Sequence, residues 1–220
     1  MAATSKAASV SIYKANCKKC PRLADFLKTS KQKYPDYFCK PVPAFGDPKA
    51  KFLIVGLAPG MHGANATGRP FTGDFAGILL YQTLHKFGFA NKDKSISADD
   101  KLKLKNCRIT NAVKCVPPAN KPTTEEIKIC NTYLKNELQA LKSGNVILAL
   151  GKIAHDSVIR SFGFKLSEKP FGHENVHDVG GGITLVDSYH CSRYNTQTKR
   201  LTTKQFEQVF KKITDTLNKS

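Results

Sequence analysis

The chain has 220 residues, 35 Lys and Arg against 17 Asp and Glu, and a formal net charge of +18. That length suits one α/β domain with a short arm, and an apolar fraction of 40% excludes a chain too polar to fold. The longest apolar runs fall far below the ~20 residues of a membrane span, while the surplus of positive charge points to a polyanionic partner, nucleic acid above all.

In chain order, "MAATSKAASVSIYK" lacks the apolar core of a secretory signal. It is basic and free of acids, so residues 1–14 read as a disordered arm ahead of one domain over residues 15–220. The expected location is intracellular, cytoplasm, nucleoid or nucleus, with an organelle as the alternative address. Cys17 and Cys20 form a C-x-x-C pair, and a helix is expected near Arg22–Ser30. "KFLIVG" reads as a buried strand, and "FAGILLYQTLHKFGF" has apolar residues at helical spacing. "CRITNAV" is a second strand. Thr123 to Glu126 form a capping box that opens a helix to about Leu141. "NVILAL" is a third strand, which Gly151 turns into the helix "KIAHDSVIRSF". "GITLVDS" is a fourth strand, and Thr202 with Gln205 caps a last helix to about Leu217. Continuous apolar strands alternating with amphipathic helices predict a three-layer α/β/α fold around a mostly parallel four-stranded sheet.

In such sheets ligands bind beyond the carboxyl ends of the strands. The loops Gly56–Asp74, Asn111–Asn120 and His190–Asn195 should therefore gather at one end. The first is rich in glycine but lacks the G-x-x-x-x-G-K-[ST] of a phosphate loop, and its glycines do not fit G-x-G-x-x-G. It suits close approach of backbone to a carbonyl or an anionic leaving group. Seven cysteines without a secretory signal argue for a metal site over a disulfide framework. Cys17, Cys20, Cys115 and Cys130 offer four thiolates, a number that fits zinc and [4Fe–4S] equally.

"GLAPGMHGANATGRPFTGD", "NAVKCVPPAN" and "HCSRYNTQTKRLT" together resemble the uracil-DNA glycosylase superfamily, nearest its iron–sulfur family five and next family four. The likeness runs from about Cys17 to Leu201. One departure is visible: Cys191 stands where the motif has proline, which leaves the loop after His190 less stiff.

The resemblance implies a monofunctional DNA glycosylase of base-excision repair. It would act as a monomer on DNA containing uracil and release further deaminated bases such as hypoxanthine and xanthine. Such hydrolysis needs a flipped base, a stabilised departing charge and an aimed water. On this reading Gly56, Leu57, Ala58, Pro59, Gly60 and Met61 wall the base pocket, with His62 and Asn65 beside them. Phe71 stacks on the base, Asn111 reads its Watson–Crick edge, and His190 stabilises its O2. Asp74 either positions water and steadies the cationic sugar or begins a helix. Arg193 and Tyr194 wedge the minor groove from a loop shared with Ser192 and Asn195. Arg69, Lys114, Lys121, Lys199 and Arg200 contact the DNA backbone. The cysteine quartet becomes a structural [4Fe–4S] cluster. A competing reading, a basic cluster- or zinc-containing domain that binds nucleic acid without catalysis, is opposed by the joint presence of Phe71, Asn111 and His190.

Overall fold

The computed structural model describes residues 14–219, so the expected arm lies outside the described residues except for Lys14. Seven α-helices and six strands follow in chain order: α1 Pro21–Lys33, β1 Phe45–Gly46, β2 Phe52–Gly56, α2 Ala64–Thr67, α3 Phe75–Lys86, β3 Cys107–Asn111, α4 Thr124–Gln139, β4 Val146–Leu150, α5 Lys152–Ser161, β5 Val176–Asp178, β6 Thr184–Ser188, α6 Arg193–Gln197 and α7 Thr203–Asn218. Among the described residues no helix is long and apolar enough to cross a membrane.

The sheet order is β1-β3-β2-β4-β6-β5. The four inner strands are parallel, with Gly56 beside Asn111 and Ala149 beside Asp187. The sheet thus has six strands where four are expected. The two extra strands, β1 and β5, run antiparallel at the edges. Two and three residues are too few for a period to register in the sequence. Short edges of this kind also limit pairing with other chains.

Alternation along the strands sends Phe52, Ile54 and Leu148 to one face, against Leu80 and Leu84 of α3 and Phe206 and Phe210 of α7. Leu53, Val55, Ile147 and Ala149 face the other way, onto Leu134 and Leu138 of α4 and Val158 of α5. Truncating one of the fully buried phenylalanines to Ala would cost about 3–5 kcal/mol. The capping boxes form as expected, with Thr123 and Glu126 exchanging bonds at α4 and Thr202 with Gln205 at α7. A third, smaller cluster joins Leu23 and Leu27 of α1 to Val113, Val116 and Tyr133. It docks the N-terminal segment beside the carboxyl end of β3.

Candidate active site

The carboxyl ends of β2, β3 and β6 open into a cleft of about 400 Å³. Its lining includes Leu57, Ala58, Pro59, Gly60, Phe71, Asp74, Asn111, His190, Ser192 and Arg193. Three glycines of the loop after β2 are there because functional side chains lie directly on them. A Cβ on Gly56 would meet Asn111 Oδ1 at 2.4 Å and the Phe71 ring at 2.8 Å. One on Gly60 would meet Asp74 Oδ1 at 2.4 Å, and one on Gly63 would meet it at 1.9 Å. Gly77, in the first turn of α3, likewise admits the Phe71 carbonyl. Phe71 itself holds φ +56°, a left-handed backbone uncommon for a bulky residue. Its ring lies 5.9 Å from that of His190, at 28°.

Asn111 is buried, and its Oδ1 has no hydrogen-bond partner in the protein. An orphaned buried acceptor costs about 1–3 kcal/mol, so the cleft favours a ligand that brings an N–H. Burial lowers the His190 imidazole to about 4. The ring is therefore neutral at pH 7, with one N–H to donate. Asp74 precedes α3 but its side chain does not cap that helix. Oδ2 accepts instead from the Ala64 N–H of α2, at 3.3 Å. Burial raises the Asp74 carboxyl above its ordinary range, and the Ala64 bond and the nearby His62 partly oppose this.

The His190 loop is fixed by side chains. Cys191, wholly buried, donates its thiol to Ala76 O at 3.3 Å. Asn195 Nδ2 donates to His190 O at 2.8 Å, so this amide braces the loop from within. Ser192 caps α6 while lining the cleft. The Arg193 guanidinium rests on the Phe75 ring at 4.9 Å, and Tyr194 is 70% exposed. Lys121 and Lys199 are exposed, and Arg200 stacks on Tyr189 at 4.5 Å.

Two expected DNA contacts are overturned by burial. Lys114 is buried and paired with Glu137 at 2.6 Å, and its amine also donates to Thr110. Arg69 is equally buried, paired with Asp100 at 2.6 Å and bonded to Thr72 and Ser95. Neither reaches solvent. The pocket expectation also shrinks. Asn65 is fully buried with its amide toward Cys39 and Met61. Met61 packs on the third cluster, and exposed His62 turns to Tyr34 and Tyr37. Gly56 lies behind the wall, beneath Asn111 and Phe71. Phe75, Ala76 and Asn120 line the cleft without having been expected to. Asn120 closes the second motif, so its signal was present in the sequence.

Cys17, Cys20, Cys115 and Cys130 all line one cavity, with Tyr133 and Ile129, and all are free thiols. Burial, then the neighbouring thiols and acids, pushes Cys20 up to about 11, and Cys115 and Cys130 are raised as well. The Tyr133 hydroxyl donates to Cys17 Sγ and the Lys114 N–H to Cys130 Sγ, each at 3.3 Å. Four thiols lining one cavity, with donors aimed at two of them, are of the ligand type that a thiolate-bound cationic centre uses. A separate buried group, His155, His177 and Asp187, keeps its potential ligand atoms within 4.8 Å of one another.

Residues 43–214 match the family model described as the Uracil DNA glycosylase superfamily. The chain is 45% identical over 198 residues to the type-5 uracil-DNA glycosylase of Thermus thermophilus, covering 88% of this chain and 90% of that protein. It is 39% identical over 201 residues to the type-5 enzyme of Pyrobaculum aerophilum, covering 90% and 87%. Against the type-4 uracil-DNA glycosylase of Archaeoglobus fulgidus it is 32% identical over 204 residues, covering 90% and 86%.

Proposed function

This chain belongs to the uracil DNA glycosylase superfamily, and from that premise we propose that it hydrolyses the N-glycosidic bond of deoxyuridine in DNA, as a monofunctional glycosylase of base-excision repair. The observation that carries this reading is the unpartnered Oδ1 of Asn111 at the bottom of a cleft that also holds a neutral His190.

A base turned out of the stack enters beside Leu57–Gly60, with the Phe71 ring against its face. Asn111 Oδ1 accepts from N3–H, which relieves the orphaned acceptor and selects uracil over cytosine. As the bond to C1′ lengthens, charge grows on the base, and the neutral imidazole donates to O2. A ring already cationic would bind anions before reaction as well as during it, so its depressed basicity keeps the interaction for the transition state. Asp74, ionised, faces the sugar side, where it orients water and offsets the cationic character of the ring. No lysine lines the cleft among the described residues, which supports hydrolysis over Schiff-base chemistry. The small wall at Ala58, Pro59 and Gly60 supports acceptance of hypoxanthine and xanthine. A cleft complete within one chain supports action as a monomer.

The four cysteines would hold a [4Fe–4S] cluster whose contribution is structural. Its positive irons would stabilise thiolates that burial alone disfavours. Iron and acid-labile sulfide in protein purified without oxygen test this; zinc in their place would overturn it.

The test of activity is an oligonucleotide with a single uracil, treated with alkali after incubation to cut abasic sites. Asn111→Ala and His190→Ala should each lower kcat by about 10²–10³, the scale of a lost charge-stabilising donor. Near-wild-type rates in both would overturn the assignment, and binding without any cleavage would favour the non-catalytic reading.

A further inference from the structure

Beyond the cleft, the N-terminal segment carries a second concentration of charge and aromatic surface. Residues 14–40 hold eight Lys and Arg against two acids, Asp25 and Asp36. A groove of about 410 Å³ runs beside α1, with Lys18, Lys28, Lys31 and Lys40 around it and Leu27 at its floor. Neither acid lines it. The groove connects to the cleft through contacts within the chain itself. Gly60 lines the cleft, and two residues on, exposed His62 lies edge-on to the stacked rings of Tyr34 and Tyr37, with the Tyr37 hydroxyl 3.0 Å from His62 Nδ1. Tyr34 and Tyr37 stack at 4.7 Å and 14°. Lys31 donates to Tyr37 O and borders the groove, and the Lys40 amine sits 6.0 Å from the Phe38 ring.

We infer that this track, from His62 across Tyr37 to the lysine groove, binds the unpaired DNA strand that flanks the target nucleotide. Cations spaced along a groove beside aromatic rings form the surface on which single strands bind without sequence preference. An unpaired strand offers both the phosphates for the lysines and free base faces for the rings. The chain's own first 13 residues do not suit the groove, since they carry Lys6 and no acid. The inference rests on the glycosylase reading only for the direction in which the strand leaves the cleft.

Binding of full-length protein to uracil-free oligothymidylate tests the groove without catalysis. Replacing Lys28, Lys31 and Lys40 together by Ala should weaken that binding and lower the log–log salt slope by about 2, at ~0.7 per phosphate lost from a single strand. The Arg triple variant should keep both, which separates charge from folding. With a uracil near one end and a flank growing to about 15 nucleotides, the upper site size of a single-strand surface, KM should fall with the flank on one side only. The Ala variant should lose that gain while keeping kcat at saturation. An unchanged salt slope in the Ala variant, or an equal loss in the Arg variant, would overturn the inference. Absence of excision by the native protein would instead defeat the glycosylase reading and leave the binding result to decide the groove.

Discussion

Asp74 touches two glycines and a helix N-terminus, and these contacts make its ionisation readable. Its carboxyl is raised by burial, so protonation on acidification begins above the ordinary aspartate range. His190, lowered to about 4, loses its neutrality only near that pH. If the carboxylate is the working form, excision falls as pH drops through the raised value of Asp74. The expected pH–rate profile has an acid limb displaced upward by Asp74, which Asp74→Asn removes with a lower plateau, leaving only the limb of His190 near pH 4. An unchanged profile in Asp74→Asn would assign the limb to another group. Gly63→Ala gives an independent approach, because the new methyl would occupy the space of Oδ1 at 1.9 Å. The carboxylate must swing away, so kcat should fall toward that of Asp74→Asn while the melting temperature changes little. At this scale the sequence was informative where residues belong to a motif, as with Phe71, Asn111 and His190, which the fold brings to one cleft. It misled for Arg69 and Lys114, because the acids that bury them, Asp100 and Glu137, lie 31 and 23 positions away. No local pattern announces such a partner.

Between elements, the catalytic loop is held by a histidine clamp that no motif predicts. Asp187 is fully buried on β6, three residues before His190. Oδ1 lies 2.8 Å from His155 Nδ1 of α5, and Oδ2 lies 3.2 Å from His177 Nε2 of β5. His155 Nε2 lies 2.8 Å from Lys169 O, an acceptor only, so that nitrogen is the donor there. Two residues on, the Tyr189 N–H donates to His173 Nδ1, and the two rings stack at 4.9 Å. The edge strand β5 thus delivers His177 to the strand that carries His190. Asp187→Ala strands both imidazoles and should cost about 3–5 kcal/mol, as when one partner of a buried pair is removed. Asp187→Asn should recover most of it, since an amide can donate to a neutral His155 Nδ1 and still accept from His177. Thermal denaturation of both variants decides this; an Ala variant within about 1 kcal/mol of native would show that the clamp carries little. Of the inner parallel strands, β2 and β4 were legible as continuous apolar runs, and β3 and β6 from shorter apolar stretches. The clamp was not, since it joins α5, β5 and β6 only through the sheet order.

For the molecule as a whole, the question is what keeps a lysine-rich N-terminal segment docked within a chain whose formal net charge is +18. The apolar contribution is small: Leu23 and Leu27 meet Val113, Val116 and Tyr133. The ion pair of Arg22 with Glu126 spans 2.7 Å, but the arginine is 43% exposed, so water screens the pair and it adds little. Val42 adds one backbone bond to Lys114 O. Against these stand four thiols brought into one cavity, and burial opposes the ionisation of Cys20, Cys115 and Cys130. A cationic centre would reverse that sign, turning neutral thiols into thiolate ligands and making them the segment's strongest attachment. Cys17 and Cys20 come from the segment, while Cys115 and Cys130 come from the β3 loop and α4, so the centre would staple one to the other. Replacing Cys17 and Cys20 together by Ser should therefore remove the iron and free the segment. Trypsin should then cut first within residues 14–40, well before the sheet core. Excision of uracil from short oligonucleotides should persist, because the two core clusters behind β2, β3, β6 and α3 do not include α1, although Ala58 of the cleft lining packs on the third cluster. Retained iron with unchanged tryptic cleavage would sink the staple. Loss of excision in step with loss of iron would place the cysteines in the support of the cleft itself.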